Sequence, residues 1–402
     1  MFSLDKFYHI LHNNLISQFV NGKSIYYYPF GTYQESNILA ENNLHKPRSN
    51  ATEKSFMHCY FIDQEPYYDY TLSIIKKTML NPDTAVGPRR INILANSEKS
   101  DFLDQFAKHN GFYNWYYFFH GFAALDWYKD FRYMTPSSFN QFDKVFICYN
   151  HLISKYRSYR LHLVSNLLEK NLVQFGKTSL FLEDSHGTWK QTIQDPDTPL
   201  DTRARLKIYQ VLNCLDNPLI IDTRTPSGEL SAKVNFKDLT SAFFHIVTET
   251  VYFFPKLHLT EKIFKPIIAQ RPFILVAAPG NLAYLKSYGF RTFDRWIDES
   301  YDEETDHYIR IEKITAELER LCKLTPQQLK QMHAEMQDTL EYNFDHFYGN
   351  FKNIIVNELV DNFEHVLCQI NNGRQPGNHS RYHQRFELSQ DYLDQVKKRL
   401  KQ

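Results

Sequence analysis

The chain has 402 residues, more than one hydrophobic core usually supports and a suitable length for two domains. Hydrophobic residues make up 43% and charged residues 23%, the balance of an ordinary globular protein. The 46 basic residues are offset by 46 acidic ones. A protein that binds duplex DNA mainly through its phosphates usually carries a basic excess, so the composition does not favour nucleic acid as the partner.

The cysteines and the N-terminal residues indicate the compartment. The five cysteines are dispersed without a Cys-x-x-Cys pair, which predicts a reducing compartment and argues against a zinc cage. Asp5 and His9 interrupt the stretch where a signal peptide needs an unbroken apolar core. No run approaches the roughly 18 apolar residues of a transmembrane helix. We therefore expect a cytoplasmic protein with no membrane span.

Short strands are predicted in the N-terminal third, at 24–30, 55–66 and 91–95. The aromatic run at 114–128 fits either a strand or a helix, because periodicity alone does not separate the two. The turn-rich segment at 132–143 is the best candidate for a linker between domains.

The rest of the chain alternates strands with helices. A strand at 144–150 precedes an amphipathic helix whose apolar face comprises Leu161, Val164, Leu167 and Leu168. Further strands are expected at 178–183, 218–223, 242–250 and 271–280, and further helices at 198–215, 260–270 and 281–290. After residue 302 the pattern is helical and charged to the end.

This alternation predicts an α/β fold of two domains with largely parallel sheets. Ligands of such folds bind at the carboxyl ends of strands, so a cleft between the two domains is the expected reaction site. No GxGxxG or GxxxxGK[ST] motif occurs, which excludes the common dinucleotide and P-loop sites.

An adjacent acid and base follow a threonine that can cap a helix. Thr260 occupies the N-cap position, so Glu261 and Lys262 begin the helix, where unpaired N–H groups suit a phosphate. Lys262 adds a full positive charge, and Glu261 can accept two hydrogen bonds from the vicinal hydroxyls of a ribose. Together they predict a site for a nucleoside diphosphate. Taken alone, the same three residues more often form an ordinary capped helix with a solvated first turn.

The segments "AFFHIVTET" and "HLTEKIFKPIIAQRPFILVAAPG" resemble the donor-binding half of the family-ten α-1,3-fucosyltransferases. In that family a strand that ends in a Phe-Glu-Asn-Ser type motif precedes a Tyr-x-Thr-Glu-Lys helix start. The resemblance implies that Glu249, Thr250 and His258 join the Thr-Glu-Lys residues in binding the donor. Thr250 and His258 replace the asparagine and tyrosine of the family, which leaves the sugar and the nucleotide base open.

The same family has an asparagine turn after the first strand of its donor domain, and an arginine that leads a helix and contacts the diphosphate. Here Asn150 matches the turn, and Arg157 and Arg160 both match the arginine. We favour Arg160 because Leu163 and Leu167 follow it at the spacing of an apolar helix face.

The family's strand that ends in Glu-Ser-Pro is similar to "CYFIDQEPYYDY". This similarity implies that Glu65 is the general base and faces the donor domain across the cleft. Asp63 stands two residues away and can raise the pKa of its neighbour, although a solvated turn acid is the alternative interpretation. His120 is a second candidate for supporting the base or the acceptor, against the alternative of a hydrogen-bonded core histidine.

The order of these motifs matches the family over residues 55–295. The whole chain is also similar to uncharacterised relatives from marine bacteria and their phages. The resemblance implies the GT-B fold, in which two Rossmann-like domains face each other across a cleft. We expect an acceptor-binding domain at 1–142, a nucleotide-sugar-binding domain at 143–340 and a helical C-terminal extension at 341–402.

Two charged segments carry alternatives. Asp298, Glu299 and Asp302 could hold a metal, but we interpret them as an acidic loop or helix cap, because the arginine and Lys262 already neutralise a diphosphate. No cofactor is therefore expected besides the nucleotide sugar. The basic tail at 373–402 suits either an anionic partner or membrane surface, or a solvated helix.

The leading hypothesis is an inverting, metal-independent glycosyltransferase that uses a nucleotide-diphosphate sugar, GDP-sugars among them, and a hydroxyl acceptor such as a glycan. One alternative is a phage-type DNA glycosyltransferase that acts on a hydroxymethylated base, which requires a base-flipping pocket and a basic groove. Another is a non-catalytic protein of the same fold that binds sugar nucleotides or glycans.

Overall fold

The computed structural model describes residues 2–16, 25–26, 57–61, 63–68, 91–134, 142–221, 232, 234–372 and 387–402. They divide into two compact units. Unit 1 contains the described residues up to Trp127 and those from Asn350 onward, and unit 2 contains those from Tyr128 to Gly349. Residues 341–402, grouped in the sequence as one helical extension, are therefore divided between the units at Asn350. The predicted linker at 132–143 lies partly outside the described residues.

The strands of the described ranges are numbered in chain order. They are β1 Ile25–Tyr26, β2 Met57–Phe61, β3 Ile91–Asn96, β4 Phe112–Tyr116, β5 Lys144–Cys148, β6 Gly176–Thr178, β7 Glu183–Asp184, β8 Gly187–Thr188, β9 Ala242–Thr248 and β10 Phe273–Val276.

The α-helices follow the same convention. They are α1 Leu4–Ile10, α2 Asp101–Asn110, α3 Phe119–Trp127, α4 Tyr159–Glu169, α5 Trp189–Gln194, α6 Thr202–Leu212, α7 Phe236–Thr240, α8 Phe264–Ile268, α9 Asn281–Ser287, α10 His307–Cys322, α11 Pro326–Tyr348, α12 Phe351–Asn372 and α13 Gln390–Lys401. Among these helices, none combines the length and the apolar character needed to cross a bilayer.

Unit 1 is built on a sheet with the strand order β1-β2-β3-β4, in which every neighbouring pair is parallel. The aromatic run at 114–128, whose sequence fits either a strand or a helix, contains one of each, because β4 ends at Tyr116 and α3 begins at Phe119. Helix α12 packs on β4, where the Trp115 indole donates to the Leu359 carbonyl at 3.0 Å and lies 4.7 Å from the Phe363 ring. The carboxyl ends of β2, β3 and β4 therefore share one edge.

Unit 2 has a second parallel sheet, with the order β10-β9-β5-β6. All seven residues of β9 are buried, as expected for a central strand covered on both faces. Cys148 pairs with Ile246, and Thr248 pairs with Val276, so the ends of β5, β9 and β10 lie at one edge of the sheet. The α/β class with parallel sheets is confirmed, and the pairing of two Rossmann-like domains as GT-B stays a prediction.

Two predicted strands are shorter than the sequence indicates. In the 178–183 run only Thr178 belongs to the main sheet, and Glu183 joins the two-stranded hairpin of β7 and β8. The 218–223 run contributes a single antiparallel bridge between Leu219 and Leu180 within the described residues. A short apolar run forms a strand only where a neighbouring strand supplies main-chain hydrogen-bond partners. The sequence does not show which segments become neighbours.

The close approach of β5 and β6 yields a stability prediction. A Cβ atom on Gly176 would lie 2.2 Å from the fully buried Phe146 ring. We expect Gly176→Ala to lower the free energy of unfolding by about 1–3 kcal/mol, the usual cost of overpacking, as measured by urea titration. In the Phe146→Leu background the same substitution should cost clearly less. Equal costs in both backgrounds would contradict this steric explanation.

Candidate functional site

Polar residues gather at the carboxyl edge of the unit 1 sheet. Asp63 follows β2, Ser97 follows β3 and Tyr117 follows β4. The Asp63 main-chain carbonyl accepts a hydrogen bond from the Ser97 hydroxyl at 2.5 Å. Its Oδ2 accepts hydrogen bonds from the Tyr8 phenol at 2.9 Å and from the Tyr117 phenol. Asp63 is thus fixed from three separate segments, twice through its carboxylate and once through its main chain.

The next residue is fixed in the same way. His120 on α3 has its Nε2 2.8 Å from the Gln64 carbonyl, so this nitrogen carries the hydrogen and donates. The two residues before Glu65 are therefore anchored by α1, α3 and the ends of β3 and β4. Glu65 itself is partly buried. The geometry brings Asp63 and His120 together, and it places both beside the segment that leads to Glu65.

The Asp63 carboxyl is electrostatically unusual. It is 1% exposed, and its Oδ1 has no hydrogen-bond partner among the residues that the structure describes. Burial raises the pKa of Asp63 to about 6, although the hydrogen bonds from Tyr117 and Tyr8 act in the opposite direction. A buried carboxyl with a pKa near neutrality and one unmatched acceptor is typical of functional sites, although structural networks also produce it.

Glu98 adds a second buried carboxylate after β3. It is 3% exposed and accepts hydrogen bonds from the Tyr67 main-chain N–H at 2.7 Å and from the Ser100 hydroxyl. The sequence analysis missed Glu98 and Ser97. Both directly follow a predicted strand, so the rule that ligands bind at carboxyl ends could have identified them. Tyr8 carries no such signal, because it lies on α1, 55 residues before Asp63 along the chain.

In unit 2, the residues that follow β9 at the sheet edge are joined to one another by hydrogen bonds. The Glu249 carboxylate is fully buried and accepts the Thr260 hydroxyl at 2.5 Å and the Thr260 N–H at 3.2 Å. The Thr250 N–H also donates to it, at 3.3 Å. The Tyr159 phenol donates to the Glu249 carbonyl at 2.5 Å. Glu249 thus fixes two threonines of the predicted donor site.

Lys262 is the cation that this arrangement positions. Its Nζ lies 3.0 Å from the Thr260 hydroxyl, 3.4 Å from the Thr250 hydroxyl and 3.4 Å from the Glu261 carboxylate. The Lys262 side chain is 30% exposed, whereas that of Glu261 is 4% exposed. Thr260 is the N-cap, as the sequence predicts, of a 3₁₀ turn at Glu261–Ile263 that leads into α8. A partly exposed ammonium therefore lies beside buried hydroxyl and carboxylate groups.

The two candidate arginines have different surroundings. Arg160 is 4% exposed and donates to the carbonyls of Leu152 at 3.0 Å, Thr248 at 3.0 Å and Glu249 at 3.5 Å. It therefore holds the loop after β5 against the end of β9. Arg157 lies in the 3₁₀ turn that precedes α4 and is partly exposed.

Asn150 joins the ends of β5 and β6. Its Nδ2 donates to the Ser179 carbonyl at 3.1 Å and to the Cys148 sulfur at 3.2 Å, and its main-chain N–H donates to the Ser179 hydroxyl at 2.9 Å. The side chain is fully buried, and within the described ranges its Oδ1 has no hydrogen-bond partner. Asn150 thus positions the turn and retains one unmatched acceptor.

His258 and Tyr128 are two further buried residues of unit 2. His258 is fully buried, and its main-chain N–H donates to Asn281 at 3.0 Å. Tyr128 is fully buried, and the pKa of its phenol is raised by burial and then by the nearby carboxylates of Glu261 and Glu249. Nothing in the sequence pattern singled out Tyr128, since it lies far from these acids along the chain.

The acidic loop serves as a set of caps. Asp302 accepts hydrogen bonds from the Leu282 N–H at 3.1 Å in the first turn of α9, and Asp298 accepts one from the Ser300 N–H. Glu299 accepts the Phe293 N–H at 2.8 Å. The interpretation as a loop and helix cap is confirmed. Over the described part of the chain, no cluster of three or more histidine, cysteine or acidic residues suits a metal ion.

Comparisons with protein-family models, with curated proteins and with solved structures found no match to this chain. The chemistry of the site is therefore inferred from the side chains of this chain and not from a relative. Unit 1 offers carboxylates at a sheet edge, one of them with a pKa near neutrality, and unit 2 offers a positioned ammonium beside buried hydroxyls. The first set suits proton transfer and the second suits an anionic ligand.

The buried Asp63 carboxyl predicts a pH dependence of stability. Its pKa of about 6 in the folded protein exceeds the ordinary value of 3.8, so its ionisation disfavours folding as the pH rises from about 4 to about 6. We expect the stability of Asp63→Asn relative to the wild type to increase over this range by up to about 3 kcal/mol and then to level off. Denaturant titrations at several pH values measure it. A difference that does not change between pH 4 and pH 7 would contradict the assignment.

Proposed function

We propose that the chain is an inverting, metal-independent glycosyltransferase that moves a sugar from a nucleotide-diphosphate sugar to a hydroxyl group of a glycan. The observation that carries the proposal is the Lys262 ammonium at the carboxyl edge of β9. Thr250 and Thr260 fix it, and Glu249 fixes both of them in turn. A partly exposed cation at this edge of a parallel sheet is where a diphosphate is expected to bind.

Unit 2 supplies the donor site in this proposal. Lys262 and the partly exposed Arg157 contact the diphosphate, whereas Arg160 keeps the strand ends in place through its hydrogen bonds to main-chain carbonyls. Asn150 and His258 complete the surroundings of the donor. Because these cations neutralise the departing diphosphate, the transfer requires no metal. GDP-sugars are the first donors to examine, since the resemblance to fucosyltransferases favours them.

Unit 1 supplies the base. Glu65 takes the proton of an acceptor hydroxyl as its oxygen forms a bond to the anomeric carbon. The bond between that carbon and the diphosphate breaks, and the nucleoside diphosphate leaves with the electron pair, so the configuration inverts. Asp63 and His120 hold the segment before Glu65 rather than contact the reacting atoms. A base of this kind typically contributes about 10²–10⁴-fold to the rate.

The donor site predicts a binding defect. Lys262→Met removes the ammonium and keeps a side chain of similar length. We expect it to weaken nucleoside-diphosphate binding about ten- to a hundredfold, the usual effect of losing a charge-assisted contact. Calorimetry with GDP and UDP measures it, and Lys323→Met is the matched control, since the Lys323 side chain is 73% exposed and pairs with Glu319 at the surface. Equal affinities in Lys262→Met and the control would exclude this donor site.

The base predicts a defect in transfer alone. Glu65→Gln keeps the size of the side chain but cannot take a proton, so donor binding should persist while transfer falls by at least about a hundredfold. Asp63→Asn is the matched control, because an amide oxygen can still accept the two phenols, and it should keep most activity. Transfer lost in Asp63→Asn but kept in Glu65→Gln would move the base to Asp63. If the wild type binds the donor but transfers sugar neither to any glycan nor to hydroxymethylated DNA, the chain is better explained as a binding protein.

A further inference from the structure

The strand order of the unit 2 sheet reverses at the proposed donor site. The chain passes from β5 to β6 on one side of β5, and it later returns to β9 on the other side. In open parallel sheets such a reversal creates a crevice at the carboxyl ends of the two strands, and ligands bind there. Arg157 lies in the segment after β5, whereas Thr250 and Lys262 follow β9. The segments that flank the reversal therefore carry the diphosphate contacts of the proposed donor site.

An aromatic pair, Tyr156 and Phe254, joins the same two segments. Tyr156 lies in the 3₁₀ turn Lys155–Arg157, and Phe254 lies between the end of β9 and Thr260. The two ring centroids are 5.6 Å apart, and the ring planes meet at 69°. Both side chains are partly exposed. An edge-to-face pair of this kind leaves ring surface on which a planar group can stack.

Buried contacts fix the two segments that carry the aromatic pair. The rings of Tyr159 and Tyr252 are stacked with centroids 4.3 Å apart, and each side chain is 1% exposed. The Tyr159 phenol also donates to the Glu249 carbonyl at 2.5 Å, and Arg160 donates to main-chain carbonyls of both segments. The main chain around the aromatic pair is therefore fixed before a ligand binds, which lowers the entropic cost of binding.

The nucleobase is the part of the donor that suits the aromatic pair. Every nucleobase has a π-face that stacks on aromatic side chains, whereas a sugar needs hydrogen-bond partners for its hydroxyls. In the proposed reaction Glu65 of unit 1 acts at the sugar end of the donor, so the nucleoside end is left for unit 2. Arg157 directly follows Tyr156 in the chain, so a phosphate contact adjoins the stacking surface.

A second aromatic contact at this sheet edge is less suitable. His151 and Phe181 have ring centroids 5.1 Å apart, and they join the segments after β5 and β6. Strand β6 lies on the side of β5 away from β9, whereas Lys262 follows β9. The Phe181 side chain is also buried. The aromatic pair at the reversal of strand order is therefore the better stacking surface.

We propose that Tyr156 and Phe254 form the nucleobase subsite of the donor site. The nucleobase stacks on their exposed ring surface while the diphosphate contacts Arg157 and Lys262. The inference rests on the proposed donor site, and it adds two residues that no motif of the sequence indicates.

Calorimetry with GDP, UDP, ADP and inorganic pyrophosphate tests the subsite separately from the phosphate contacts. Tyr156→Leu and Phe254→Leu each keep an apolar side chain but remove a ring. Each should weaken the tightest-binding nucleotide about five- to a hundredfold, the usual effect of losing a stacked base, and leave pyrophosphate affinity unchanged. Tyr156→Phe keeps the ring and should bind like the wild type. Tyr209→Leu is the matched control, because its side chain is 50% exposed on α6, which carries no residue of the donor site.

The variants distinguish failure of the subsite from failure of the donor site. Lys262→Met should weaken pyrophosphate and the nucleotide alike. If both leucine variants bind the nucleotide with wild-type affinity while Lys262→Met does not, the nucleobase subsite is wrong and the donor site stands. If the wild type binds none of the three nucleotides, both proposals are wrong.

Two further outcomes would overturn the stacking role. Leucine variants that weaken pyrophosphate as much as the nucleotide would show that the aromatic pair only shapes the phosphate site. A Tyr156→Phe variant as weak as Tyr156→Leu would assign the effect to the hydroxyl group and not to the ring. Unchanged pyrophosphate affinity shows that a leucine variant is folded, and Phe254→Leu keeps the test valid if Tyr156→Leu fails to fold.

Discussion

Parallel strand pairing is the constraint on which the candidate site depends. When neighbouring strands run the same way, every segment that follows a strand emerges at the same edge of the sheet. In unit 1 this brings Asp63, Ser97 and Tyr117 together, although they are far apart along the chain. In unit 2 it brings the segment after β5 beside the segment after β9, where the Thr248 hydroxyl donates to the Tyr149 carbonyl at 2.9 Å.

At both sheet edges, buried polar groups need hydrogen-bond partners within the protein. The residues there are therefore of two kinds: those that supply such hydrogen bonds and those that remain partly exposed. Arg160 and Glu249 direct their hydrogen bonds into the protein, to main-chain carbonyls and to threonines, so they fix the strand ends. Lys262, Arg157 and Glu65 retain partial exposure at the same edges. The sequence motif suggests all of these residues as contacts of the substrate, but Arg160 and Glu249 instead position the rest. Only the exposed members are suited to meet a substrate.

Local features of this site could be predicted from the sequence because they are encoded locally. The strand at 242–250 and the helix start at Thr260 follow from an apolar run and a capping residue, and both are observed. The apolar face of α4 follows from its helical spacing, and Leu161, Val164 and Leu167 are buried there, whereas Leu168 is partly buried.

Features that depend on distant contacts could not be predicted. The hydrogen bond from Tyr8 to Asp63 joins α1 to the end of β2, and no pattern within either segment indicates it. The same holds for α12, whose packing on β4 assigns the C-terminal helices to unit 1. Arg160 and Arg157 also could not be ranked from spacing, because an apolar helix face predicts burial and does not show what a guanidinium contacts once it is buried.

The central claim is that the carboxyl edge of the unit 2 sheet binds a nucleotide-diphosphate sugar. The most direct measurement is a crystal structure determined after soaking with GDP-, UDP-, ADP- and CMP-sugars in turn. We expect one of the diphosphate donors to bind with its phosphates within hydrogen-bond distance of Lys262 and beside Thr250. A nucleotide bound elsewhere on the chain, or no binding of any of the four, would contradict the account.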